Sequence, residues 1–340
     1  MIIIFHVNLS FQSALLKCFY HNLSLGVDFF FVISGFLVTY LLLIEKSENK
    51  KINIFSFYLR RVLRIFPLYY LIILLSYLTF YKTDNNYKPF LYFWGNFEII
   101  REGHWTGGWL TPLWSICIEE HFYWVVPLLV ALLSIKFIKY VYGLIIVISI
   151  VTKAYFFSTV NYSWYYIQCH TLSTMDIIAI GGLLACLYFE WPFKINISSW
   201  LLIIPLLLII ALMSLINFES YDNIFAAMFS RYLIIIPFVA FFGMYIFNTN
   251  SSVAKIKQFK ITEYLGNISY GIYMYQSVIM NKLAFSQTSV FKQLLFIVLS
   301  IIVTIVVSGL SYRFIEGPFL KLKKLIEKKT IPEISLHSPK

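Results

Sequence analysis

The feature that most constrains this chain is a succession of long apolar runs separated by short polar breaks. Reading the runs against their breaks gives a short first segment ending near His6. It is followed by segments at about 25–44, 67–80, 110–133, 141–153, 175–189, 200–216, 232–247, 265–280 and 294–314. A membrane-crossing helix needs about 20 mostly apolar residues, so the pattern predicts about ten spans, the first of them incomplete. Hydrophobic residues make up 60% and charged residues 13% of the 340. A soluble domain averages about 45–50% apolar and about 25% charged, so a disordered chain is excluded and a soluble enzyme disfavoured. The runs are continuous rather than alternating, which argues against a β-barrel. The expected fold is all-α, a polytopic transmembrane helix bundle over residues 1–320 followed by a basic cytoplasmic tail at 321–340. We find no internal repeat and no low-complexity linker.

The net charge is +11, from 27 Lys and Arg against 16 Asp and Glu. In a soluble protein such an excess would suggest a nucleic-acid partner. Here positive-inside topology accounts for it, and no nucleic acid is expected. Alternating the spans collects Lys46, Lys50, Lys51, Arg60, Arg61, Arg64, Lys136, Lys139, Lys194, Lys255, Lys257 and Lys260 on one side. The tail adds Arg313, Lys321, Lys323, Lys324, Lys328, Lys329 and Lys340. The bias predicts a multi-pass membrane protein with both termini in the cytoplasm, and loops near Glu102 and Tyr221 outside. Cys18, Cys117, Cys169 and Cys186 form no CxxC pair, so neither a redox nor a zinc motif is supported and no metal is expected. Tyr69–Tyr70, Trp164–Tyr166 and Trp200 read as interfacial anchors among membrane lipids.

Ionisable groups within spans are costly, about 2.5–3.5 kcal/mol each on insertion scales, and each is therefore a functional candidate. His6 sits toward the outer part of the first span; it is either a hydrogen-bonded helix-end histidine or a proton carrier. Asp28 opens the next span, where Asp28, Val32, Gly35 and Thr39 share a face beside Ser34. Gly35 would admit a neighbouring helix closely, and Asp28 is a first-turn acid or a partner for His6. Arg61 and Arg64 share a face just before Pro67; they are positive-inside charge or a guanidinium fork for phosphate. Ser115, Glu119 and Tyr123 line one face at four-residue spacing, with Glu120 and His121 directed elsewhere. The depth of this stretch favours a polar cavity over an interfacial cap. Asp176 reads as a first-turn acid, and Glu316 as the partner of Arg313 in a local ion pair. No Walker loop, HExxH or GxSxG occurs.

Taken in order, His6, GVDFFFVISGF (26–36), FYLRRVLRIFPLYY (57–70), LWSICIEEHFYWVVPLL (113–129), MDIIAIGGLLA (175–185), YLGNISYGIYMYQ (264–276) and SYRFIEGPF (311–319) resemble the bacterial membrane-bound acyltransferase family 3. The resemblance covers most of the chain. It implies an O-acetyltransferase of the bacterial inner membrane, acting in polysaccharide biosynthesis for the cell envelope. Such an enzyme moves an acyl group, usually acetyl, from cytoplasmic acyl-CoA (acetyl-CoA) to a sugar hydroxyl of a surface glycan or lipid-linked precursor, with no permanently bound cofactor. It implies that His6 is catalytic; we expect Asp28 or Glu119 to support its imidazole. It places Arg61 and Arg64 on the donor and puts its Ser-x-x-x-Glu pattern on Ser115 and Glu119; beside it, we read Ser34, Ser115, Tyr123 and Asp176 as lining the cavity. The family's basic residue eleven positions before the histidine has no counterpart, which leads us to expect an N-terminus truncated relative to the family. Gln276 stands where the family often has histidine. A transporter or flippase, or an inactive truncated copy, are the alternatives.

Overall fold

The computed structural model describes residues 1–5, 13–80, 86–106, 108–160, 164–191, 194–218, 222–250, 259–283 and 290–322. Among these the elements are helices, with one isolated parallel bridge between Ile195 and Asn248 and no strand. Seven helical segments are long and apolar enough to cross a membrane: Ala14–Asn49, Ile54–Thr79, Leu113–Leu132, Ile135–Thr159, Thr171–Glu190, Ile224–Phe247 and Lys292–Leu322. Ser199–Leu215 is a shorter apolar stretch. The Lys260–Leu283 helix has sufficient length but carries more polar side chains. The basic tail beyond residue 322 lies outside the described residues.

Several boundaries differ from the sequence reading for a physical reason. The third span does not open at Pro67; the helix runs Ile54–Phe80 with Pro67 inside it. Proline is tolerated within membrane helices because neighbouring groups re-satisfy the freed backbone. Arg60, Arg61 and Arg64 therefore lie within the spanning helix rather than ahead of it. Asn53 caps this helix, its Oδ1 accepting the Ser56 N–H at 2.9 Å. Lys153 does not end a span but lies well inside the Ile135–Thr159 helix. Tyr69 is not an interfacial anchor: it is fully buried and donates to the Phe90 carbonyl at 2.7 Å.

The chain divides into two compact units, Met1–Leu43 with Leu133–Thr262, and Ile44–Leu132 with Glu263–Lys340. In the first unit the Gly26–Asn49 and Thr171–Glu190 helices meet through glycine. A Cβ on Gly35 would stand 2.0 Å from the Ile178 carbonyl oxygen, and one on Gly181 would stand 2.0 Å from that of Val32. This reciprocal contact is the close approach expected at Gly35, and in lipid it lets dispersion forces act between backbones. Val32 and Thr39 on the same face are buried, Thr39 meeting the Tyr142 hydroxyl. Asn22 ties the start of this unit to its later part, donating to the Met213 and Ile216 carbonyls at 2.8 and 2.6 Å.

In the second unit Lys46 donates to the Val130 and Ala131 carbonyls at 2.6 and 3.1 Å. A cation thereby satisfies the open carbonyl end of the Leu113–Leu132 helix. The Ile54–Phe80 helix packs against that helix and against Tyr312–Glu316, where the last long helix widens into a π turn.

Candidate active site

Within the second unit, three neighbouring arginines of one helix have different roles. Arg60 is buried and donates to Glu45 Oε2 at 3.1 Å. Glu45 Oε1 in turn accepts the Asn53 N–H at 2.8 Å, so this pair is internally satisfied and fixes the helix start. Arg61 and Arg64, one helical turn apart, are half-exposed. Among the described residues neither forms an ion pair within 4.0 Å. The Arg61 guanidinium stacks over the Tyr123 ring at 4.6 Å and lies 5.4 Å from that of Phe57. Such stacking fixes a cation while leaving its N–H edge usable. Arg64 donates one long bond, 3.3 Å, to the Asn267 carbonyl.

The neighbouring groups are polar and held in place. Tyr270 donates to the Ile65 carbonyl at 3.0 Å. The Ser115 and Tyr273 hydroxyls lie 2.6 Å apart, and both reach the Pro112 carbonyl, at 3.1 and 2.8 Å. Ser115 and Tyr123 are buried and Glu119 is half-buried. Glu120, expected off that face, is 3% exposed and within Coulombic reach of Arg61, the guanidinium that covers Tyr123. His121 stacks among Trp94, Phe97 and Trp124.

The expected Arg313–Glu316 pair is absent among the described residues. The π turn spanning them rotates residues three apart off a common face. Arg313 is exposed, whereas Glu316 is buried, accepts from Ser311 Oγ at 3.4 Å and lies within Coulombic reach of Arg64.

The first unit holds a second cluster of a different kind. Asp28 is gripped through both oxygens by Arg231, with Nε to Oδ2 at 2.9 Å. Asp176 accepts from Lys153 and from the Tyr232 hydroxyl. All four charges are at most 3% exposed. Asp28 and Asp176 are thus anions of buried ion pairs, beyond the first-turn role the sequence suggests. Lys153 and Arg231 escaped the sequence reading, although a lysine inside an apolar run is itself a signal. Ser34 is half-buried on the Gly26–Asn49 helix. His6 lies outside the described residues.

The acyltransferase-3 family model, an acyltransferase domain, matches residues 1–313. Peptidoglycan O-acetyltransferase OatA of Listeria monocytogenes is 27% identical over 337 residues, covering 87% of this chain and 51% of the relative. A putative O-acetyltransferase of Staphylococcus aureus is 27% identical, covering 87% and 52%. O-acetyltransferase OatA of Staphylococcus aureus is 26% identical, covering 94% and 55%. The chain spans about half the length of the curated relatives it matches. No solved structure matches.

Proposed function

Because this chain belongs to the acyltransferase-3 family, we propose that it is an integral-membrane O-acyltransferase. It moves an acetyl group from cytoplasmic acyl-CoA to a hydroxyl of a cell-surface polysaccharide or its lipid-linked precursor. The observation that carries the donor half is the division of roles within one helix. Arg60 is buried and spent on Glu45, whereas Arg61 and Arg64 are half-exposed and free of ion pairs among the described residues. Guanidinium groups bind phosphate bidentately, and coenzyme A is a phosphate-rich carrier of a thioester.

His6 is the general base in this proposal. The acceptor hydroxyl oxygen bonds to the thioester carbonyl carbon and the C–S bond breaks. The hydroxyl proton passes to the imidazole and from there to the departing thiolate. The Ser115–Tyr273 pair and Glu119 form a polar wall in the unit that carries the arginines. Both termini are cytoplasmic in this proposal, as the distribution of Lys and Arg supports. The relatives' names direct attention first to peptidoglycan hydroxyls as acceptor.

Mass spectrometry of envelope glycans from a deletion strain tests this reading. The expected result is loss of one acetyl unit, restored by the wild-type gene and not by His6→Ala. An unchanged glycan overturns the function, and full restoration by His6→Ala removes that residue from the chemistry.

A further inference from the structure

Two buried carboxylates in the second unit have no role in the mechanism above. Glu120 is 3% exposed and its Oε1 finds no hydrogen-bond partner among the described residues. Glu316 is 2% exposed and its Oε2 is likewise without one. A buried carboxylate oxygen left unsatisfied is expensive, so its retention needs a reason. Both belong to elements packed directly against the helix that carries Arg61 and Arg64.

Glu316 is held by hydrogen bonds, and Glu120 is placed by its packed helix. Glu316 sits at the end of a chain in which the Tyr275 hydroxyl donates to Ser311 Oγ at 3.2 Å and Ser311 Oγ donates to Glu316 Oε1. The π turn places it on the inward side, and such turns gather at functional positions. Glu120 is fixed on the Leu113–Leu132 helix, three residues before the Tyr123 ring on which Arg61 stacks. Tyr270, bonded to the Ile65 carbonyl next to Arg64, lies within Coulombic reach of both carboxylates. Arg61 is the cation nearest in effect to Glu120, and Arg64 to Glu316.

We propose that Glu120 and Glu316 are positioning residues of the arginine fork, each holding one guanidinium, Arg61 and Arg64 respectively, in place for the phosphates of the acyl-CoA donor. The proposal rests on the donor reading given above. A long arginine side chain loses substantial rotamer freedom when it engages a ligand, and a fixed counter-charge removes much of that cost beforehand. The opposing effect is repulsion of phosphate by the carboxylates. The two effects predict opposite signs, so the measurement decides between them.

The test is calorimetric titration of the purified full chain in detergent with coenzyme A. If the wild type does not bind coenzyme A, the donor reading fails, and this inference with it. If the wild type binds, Glu120→Gln and Glu316→Gln should each weaken binding about tenfold, about 1.4 kcal/mol. They should raise KM for the donor with kcat unchanged. Glu120→Gln should add little once Arg61→Ala is present, and Glu316→Gln little once Arg64→Ala is present, whereas the crossed combinations should add. Glu120→Asp should recover part of the loss. Unchanged or tighter binding in both Gln variants, or full additivity within each pair, overturns the proposal. Should a Gln variant fail to fold, the Asp variant carries the same cycle.

Discussion

The two units bury charge in opposite ways. In the first, Asp28, Arg231, Lys153 and Asp176 form two ion pairs whose charges cancel, with Tyr232 closing one side. In the second, Glu120 and Glu316 are buried without an ion pair among the described residues, while Arg61 and Arg64 keep half-exposed cationic faces. A compensated cluster spends its electrostatic energy internally, where desolvation largely cancels attraction. It has little left for a ligand. A cluster with usable cations at its surface pays for instability with recognition. The contrast marks the first as a helix staple and supports the donor role proposed for the second.

The largest expected effect falls on the staple. Lys153→Met leaves Asp176 buried with only Tyr232, and removing one partner of a buried pair costs about 3–5 kcal/mol. Thermal unfolding in detergent should show a large drop. The double change Lys153→Met with Asp176→Leu should recover most of it, because an apolar pair of similar volume is often neutral. A Lys153→Met protein as stable as wild type would dissolve the contrast.

The fork should show the reverse pattern. Arg61→Ala with Arg64→Ala should leave the melting temperature nearly unchanged. Each charged hydrogen bond is worth about 1.5–3 kcal/mol, so coenzyme A affinity should fall about a hundredfold or more. Replacing Arg60, by contrast, should destabilise the protein by stranding buried Glu45. Equal coenzyme A affinity in the double variant would reduce Arg61 and Arg64 to topogenic charge.

Much of this was legible in the sequence. The apolar runs announced the helices, and Gly35 announced a close helix contact. The Arg61–Arg64 spacing and the Ser115–Tyr123 face named the elements of the second cluster. What escaped notice depended on pairing across long stretches of chain. Arg231 meets Asp28 across 203 residues, and Lys153 meets Asp176 across 23. No local rule links such residues. Lysine and proline also read as span ends, which puts Lys153 at a boundary and Arg61 and Arg64 just ahead of a span. In lipid a buried partner retains the lysine and neighbouring groups tolerate the proline. The i,i+3 rule that paired Arg313 with Glu316 presupposes an α-helix, and the π turn there removes that premise.

A smaller effect sharpens the view of the first unit as a structural body. Gly181→Ala drives a Cβ to 2.0 Å from the Val32 carbonyl oxygen, so the two helices must separate. Overpacking of this kind costs about 1–3 kcal/mol. Gly143→Ala is the control, since a Cβ there meets nothing within 4 Å. Melting should fall for the first and hold for the second, with coenzyme A affinity unaltered in both. A lost affinity in Gly181→Ala would mean that the first unit's packing supports donor binding.

The smallest effect concerns acid. If the first unit's ion pairs are compensated, its pH dependence just below neutrality should come from a group outside them, and His170 is that group. It caps the Thr171–Glu190 helix, its Nδ1 accepting the Leu172 N–H at 3.2 Å, and it packs edge-on against Phe156. Burial holds its pKa below the ordinary histidine value. A lowered folded pKa means that the unfolded chain takes up the proton first as pH falls. The cap is therefore at full strength above the unfolded value of about 6.5 and weakens as pH drops toward the folded one. Protonation also removes the acceptor lone pair. His170→Asn keeps a capping acceptor that does not titrate. Melting temperature measured from pH 7.5 down to 5 should decline in the wild type and decline less in His170→Asn. An identical slope in the two proteins would assign the acid response to the buried pairs instead, and the first cluster would then be less fully compensated than its geometry indicates.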